Sequence, residues 1–186
     1  DEPAARVLFP LYNVRYALRN AGAPAVLPSV PSAVPPPRPP ASWRVAMEPL
    51  APTAGPAWFS ERTQAAGSVQ DLAERLRGLE TDVVGRLRSV AWVVDTDPAA
   101  RALPPAGECG AAAVTAVQAT AAGTITVSVD GARDCPLTIA TTFAESLRGR
   151  ARVAGAWRDA RLFPVYGALL GAWVPEGATE VVIAPR

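Results

Sequence analysis

The sequence predicts a mainly β protein, an antiparallel β-sandwich or jelly-roll-like fold with one or two short helices, an α+β arrangement being the alternative. Three observations point there. Thr124 to Val129 alternates strictly and puts Ile125, Val127 and Val129 on one face, as a half-buried strand requires. From Leu137 to Ile183 short apolar runs recur between turn residues, the spacing of a sandwich. The closing phrase, Val174-Pro175-Glu176-Gly177-Ala178-Thr179-Glu180-Val181-Val182-Ile183, reads strand, turn, strand, as a terminal hairpin does.

In chain order, Val7 to Leu18 is an apolar segment, strand-like or partly helical, that Pro10 interrupts, which favours a sheet edge or a break. Residues 24–40 hold the run Pro35-Pro36-Pro37-Arg38-Pro39-Pro40, a stiff polyproline II spacer. Residues 1–60 therefore read as an extended N-terminal segment with a Pro-rich linker (24–40), and 61–186 as a helix plus a β-sandwich domain. Trp43 to Leu50 and Ala57 to Phe59 are short extended pieces. Ser68-Val69-Gln70-Asp71 is a capping-box pattern with Asp in place of the usual Glu. Val69, Leu72, Leu76 and Leu79 follow at helical spacing and form one apolar stripe. Asp71–Arg75 and Glu74–Arg77 fall on the wet side, and Gly78 and Gly85 are candidate terminators. Val90 to Val94 reads as a buried strand, closed by Asp95-Thr96-Asp97-Pro98, whose carboxylates suit turn chemistry better than a metal. Beyond the Asp130-Gly131 turn, Leu137 and Ile139 face inward. Further strands are expected at Arg150–Val153, Pro164–Tyr166, Leu169–Val174 and Glu180–Ile183.

Composition narrows the function classes. Hydrophobic residues at 49% and charged residues at 19% place the chain among folding sequences, not disordered ones. A net charge of +1 gives no general attraction to nucleic acid or to an anionic membrane surface. All 18 basic residues are Arg, and His is absent. Without His there is no Ser-His-Asp or Cys-His catalysis, no ordinary zinc site and no neutral-pH proton shuttle. Neither a catalytic residue, nor a cofactor, nor a metal site is expected. No run of about 20 apolar residues occurs, and Asp1-Glu2-Pro3 lacks a Met and a signal-peptide pattern, so the chain is expected to be a piece of a longer protein or a processed product. Cys109 and Cys135 lie 26 positions apart, each bordering a predicted strand, and form no CxxC pattern. A disulfide between neighbouring segments is the expectation, and it implies an oxidising compartment; two reduced, partly buried thiols are the alternative.

Several phrases resemble one family. Leu11-Tyr12-Asn13-Val14-Arg15-Tyr16-Ala17-Leu18 looks like the "LNVRYVL" phrase of YfhO-like bacterial membrane proteins and the related GT-C-type glycosyltransferases. Pro56-Ala57-Trp58-Phe59 before the Ser68 helix resembles the family's "LPRAF" phrase and the short helix after it. Ile139 to Phe143, Ala154-Gly155, Phe163 to Ala168 and Val174 to Gly177 are similar, in the same order, to its C-terminal strand, "VDG" turn, "P-x-Y-x-A-N" segment and "VPAG" hairpin. The family's Tyr-Pro-Gly-Trp is replaced by Ala144-Glu145-Ser146-Leu147, and the His of its final hairpin by Thr179. The Pro-rich insert and the cysteine pair are not part of the pattern. The resemblance implies a domain on the periplasmic or extracellular face of a bacterial membrane, attached to its own transmembrane portion. The parent would move sugars from lipid-linked donors onto envelope polymers. It carries no catalytic residue onto this chain.

Candidate binding residues come from the strand-rich end. Trp157 and Tyr166 offer aromatic faces on which a sugar could stack, with Arg158 beside them. Arg148, Arg150 and Arg152 alternate and share one strand face, where guanidinium groups grip phosphate bidentately or keep a sheet edge from aggregating. The expected function is a non-catalytic extracytoplasmic domain of a multi-pass sugar-transferring membrane protein. It would recognise an acceptor glycan or a lipid-linked sugar, or pack on the membrane portion, without nucleic acid as a partner. The alternative is an autonomous secreted carbohydrate-binding or adhesion module.

Overall fold

Residue by residue, the computed structural model describes 54–79, 82–98, 103–104 and 107–186, together with the backbone of two strands in the N-terminal part. Those two are β1 (Tyr16–Asn20) and β2 (Val45–Pro49), an antiparallel pair in which Tyr16 faces Pro49. The Pro-rich stretch 24–40 and most of the Leu11–Leu18 phrase lie outside the described residues.

Eleven further strands follow: β3 (Ala57–Phe59), β4 (Arg62–Ala66), β5 (Val90–Val94), β6 (Ala113–Ala119), β7 (Ile125–Asp130), β8 (Cys135–Thr142), β9 (Leu147–Val153), β10 (Ala156–Ala160), β11 (Leu162–Val165), β12 (Leu169–Val174) and β13 (Ala178–Pro185). Two antiparallel sheets stack into the expected sandwich, one ordered β10-β9-β13-β7-β6 and the other β11-β12-β8-β3. Because β3 pairs with β8, the sandwich draws on residues ahead of the expected boundary at 61. Pro164 sits in the edge strand β11, where a missing N–H is tolerated.

A third layer lies on the four-stranded sheet. It consists of a parallel pair, β4 with β5, joined through α1 (Val69–Arg77) and α2 (Val83–Ser89). Ser68 caps α1 as the sequence predicts, its Oγ accepting from the Asp71 N–H at 3.1 Å. Asp71 holds Arg75 through two hydrogen bonds of 2.8 and 3.0 Å, and that guanidinium, with the Gly67 N–H, keeps the Asp71 carboxyl below its usual range. Two expectations need correction. Val69 is 66% exposed and Leu72 is buried, so the apolar stripe begins at Leu72. Gly85 ends no helix. It lies inside α2, and its N–H donates to the carboxylate of the N-cap Asp82 at 3.1 Å, over a space that a Cβ would fill.

The three layers enclose two cores. Between the sheets pack Val127, Val181 and Ile183 from one side and Leu137, Ile139, Leu170 and Val174 from the other. Between the four-stranded sheet and the helical layer pack Trp58, Phe163, Val165, Leu169 and Trp173 against Leu72, Leu87 and the whole of β5. The four-stranded sheet is thus covered on both faces. That is why β12, Leu-Leu-Gly-Ala-Trp-Val, is buried at every position and does not alternate. Gly171 has a steric reason in this strand: a Cβ there would stand 2.6 Å from Cε2 of Phe163, whose fully buried ring fills the space.

Candidate functional site

The six sequence-predicted binding residues fall into separate places. β9 alternates as expected: Gly149, Ala151 and Val153 point into the sandwich, and Arg148, Arg150 and Arg152 point to solvent. Ala154 and Gly155, with φ of 49° and 82°, make the tight turn into β10, in the left-handed geometry that a two-residue hairpin requires. The turn brings Trp157 opposite Arg152, and Asp159 opposite Arg150. Arg152 also faces Glu180 of β13.

A row therefore crosses three strands. The Arg152 guanidinium lies 4.7 Å from the Trp157 ring centroid, and its Nη1 is 3.4 Å from a Glu180 carboxylate oxygen. A cation over an indole face contributes about 0.5–1 kcal/mol at an exposed site, enough to orient the ring. Trp157 remains 38% exposed. Arg158 is also exposed, but belongs to the opposite face of β10.

Tyr166 lies in the core between the four-stranded sheet and the helical layer, 7% exposed. It occupies the first position of the turn joining β11 to β12, at φ 52°, a conformation that costs a bulky side chain roughly 1–2 kcal/mol. Its hydroxyl offsets that cost by bonding the Val90 and Leu87 carbonyls at 2.7 and 3.0 Å. The Leu87 carbonyl, freed at the end of α2, also accepts from Ser60 Oγ at 2.8 Å and Trp58 Nε1 at 3.2 Å. Trp58 and Trp92 flank the phenol ring at 6.2 and 5.9 Å. Tyr166 is thus a clamp between layers and presents no face to a ligand.

Burial pushes the Tyr166 phenol well above its ordinary range, with Ser60 and Trp58 opposing. An unfolded tyrosine ionises near pH about 10, whereas the folded one stays neutral. The stability that this group contributes is therefore complete below about pH 10 and is lost as the pH rises towards the folded value. The folding equilibrium should weaken by roughly tenfold per pH unit over that window. Denaturant melts between about pH 9 and 11 check this. Tyr166→Phe should flatten the alkaline limb, and an unchanged limb would assign it to another group.

The two sheets part where β8 passes to β9 and β10 to β11. A cleft of about 550 Å³ opens there, bordered by Phe143, Leu147 and Leu162 and by the charged groups of Glu145, Arg148, Asp159 and Arg186. Of the predicted residues only Arg148 lines it. Its other lining residues escaped a reading by spacing because the cleft is assembled from three stretches of chain, 143–149, 159–162 and Arg186, that meet only in the folded sandwich. Nothing in the spacing of Glu145 and Asp159 along the sequence pairs them.

Cys109 and Cys135 form the expected disulfide, with their Cα atoms 5.6 Å apart. It fastens the loop before β6 to the first residue of β8. Among the described residues no helix is long and apolar enough to cross a membrane, and no group of three or more His, Cys, Asp or Glu side chains is placed to hold a metal. No family model, curated protein or solved structure matches this chain.

Proposed function

We propose that this chain is a non-catalytic extracytoplasmic domain of a multi-pass bacterial membrane protein that transfers sugars onto envelope glycans, and that it recognises the acceptor glycan. The observation that carries the reading is Trp157. It is a partly exposed indole on the outer face of β10, with the Arg152 guanidinium 4.7 Å from its ring centroid. Such a platform stacks the C–H face of a sugar ring, while neighbouring guanidinium and carboxylate groups bond the hydroxyls. The disulfide supports an oxidising compartment. The order of sequence phrases supports attachment to a membrane portion of the YfhO-like or GT-C type.

Titration of the chain against an array of envelope polysaccharides tests the reading. Binding is expected, and Trp157→Ala should weaken it roughly tenfold, the equivalent of one lost stacking contact. Uniformly flat responses, unchanged in Trp157→Ala, would reject glycan recognition and leave packing on the membrane portion as the role.

A further inference from the structure

The corner cleft has the chemistry of a binding site, not of a packing defect. Its floor is apolar: Phe143, Leu147 and Leu162 are half-buried and continuous with the core between the sheets. Gly149 keeps that floor low, since a Cβ there would come within 2.7 Å of the Leu162 side chain and 2.9 Å of the Ala160 carbonyl. The rim carries two guanidinium groups, Arg148 and Arg186, and two carboxylates, Glu145 and Asp159. Among the described residues these four side chains are engaged in no ion pair or side-chain hydrogen bond, although donors and acceptors stand around one opening.

The charge pattern selects the ligand class. Two positive and two negative groups cancel, so the rim offers no net attraction to a phosphate or to a cation. A neutral polyol satisfies both kinds of group. Its hydroxyls donate to the carboxylates and accept from the guanidinium groups, and its C–H face rests on Phe143. At about 550 Å³ the cleft is within the range of small-ligand sites. Asp159 and Trp157 stand on the same face of β10, two residues and so about 7 Å apart along the strand.

We propose that the cleft binds the terminal units of a neutral saccharide chain, which continues along β10 so that a further ring stacks on Trp157. This deepens the glycan-recognition reading and rests on it. The test is a titration of the ¹⁵N-labelled chain with neutral maltotriose, mannotriose and arabinotriose, followed by amide and indole chemical shifts. At least one should shift the amides of Phe143, Gly149 and Ala160 saturably, together with the Trp157 indole N–H. The double variant Arg148→Gln/Asp159→Asn removes two exposed, unengaged side chains. It should melt like the parent yet bind at least tenfold more weakly. Movement of the Trp157 indole with silent cleft amides would overturn the cleft assignment and leave the glycan reading standing. Silence of both sets with all three sugars would overturn both.

Discussion

Phe163→Ala is expected to destabilise the fold by about 3–5 kcal/mol, a large share of the stability of an ordinary domain. Phe163 is fully buried and reaches from the edge strand β11 over the backbone of Gly171 in β12. Its removal forfeits the transfer free energy of a phenyl ring and opens a cavity under the helical layer. The sheet cannot collapse into that space, being held on its other face by the core between the sheets. Gly171→Ala approaches the same contact from the other side and should cost about 1–3 kcal/mol by overpacking. The double variant should cost less than the sum of the two, because the new methyl group enters the space that the ring vacated. Urea unfolding of the four proteins at one temperature checks this. Strict additivity would mean that the ring and the glycine do not share the space.

Replacing both cysteines by Ser should lower stability by about 3–4 kcal/mol, the chain-entropy value for a loop of this length. Cys135 is fully buried at the start of β8, a strand paired on both sides, and the Cys109 loop leads directly into β6. Releasing the link frees the unfolded chain and loosens the connection that holds the edge strand β6 in place. Melts of the variant and of the parent with and without reductant read the effect. Equal midpoints for variant and oxidised parent would show that the covalent link contributes nothing to stability.

The parts that were legible in the sequence are those governed by one periodicity. β7 alternates because one face meets the core and the other meets water, and the Ser68 cap stood out because its pattern is local. β4, Arg-Thr-Gln-Ala-Ala, and β10, Ala-Trp-Arg-Asp-Ala, gave no signal. Each is an outer strand of its sheet with most positions exposed, so no apolar rhythm is imposed on it. The parallel β4–β5 pair was also hidden, since it depends on two helices returning the chain in the same direction. In the candidate site the Arg148, Arg150 and Arg152 row was readable from its spacing. Tyr166 was not, because a tyrosine that bonds core carbonyls and one that greets a sugar share the same sequence signature. Its neighbour Gly167 is also at positive φ, in the same turn.

The pairing of β3 with β8 sets the order in which the molecule can be made. Ala57 meets Ile139 about 80 residues later in the chain. At a synthesis rate of about 5–20 residues per second, β3 waits several seconds for its partner to exist. During that interval Trp58 and Phe59 have no sheet to enter, whereas the hairpins β9–β10 and β11–β12 close almost as soon as they are made. The vulnerable moment for this protein is therefore early in its biogenesis, when a nascent apolar strand stands exposed to chaperones and to its own neighbours.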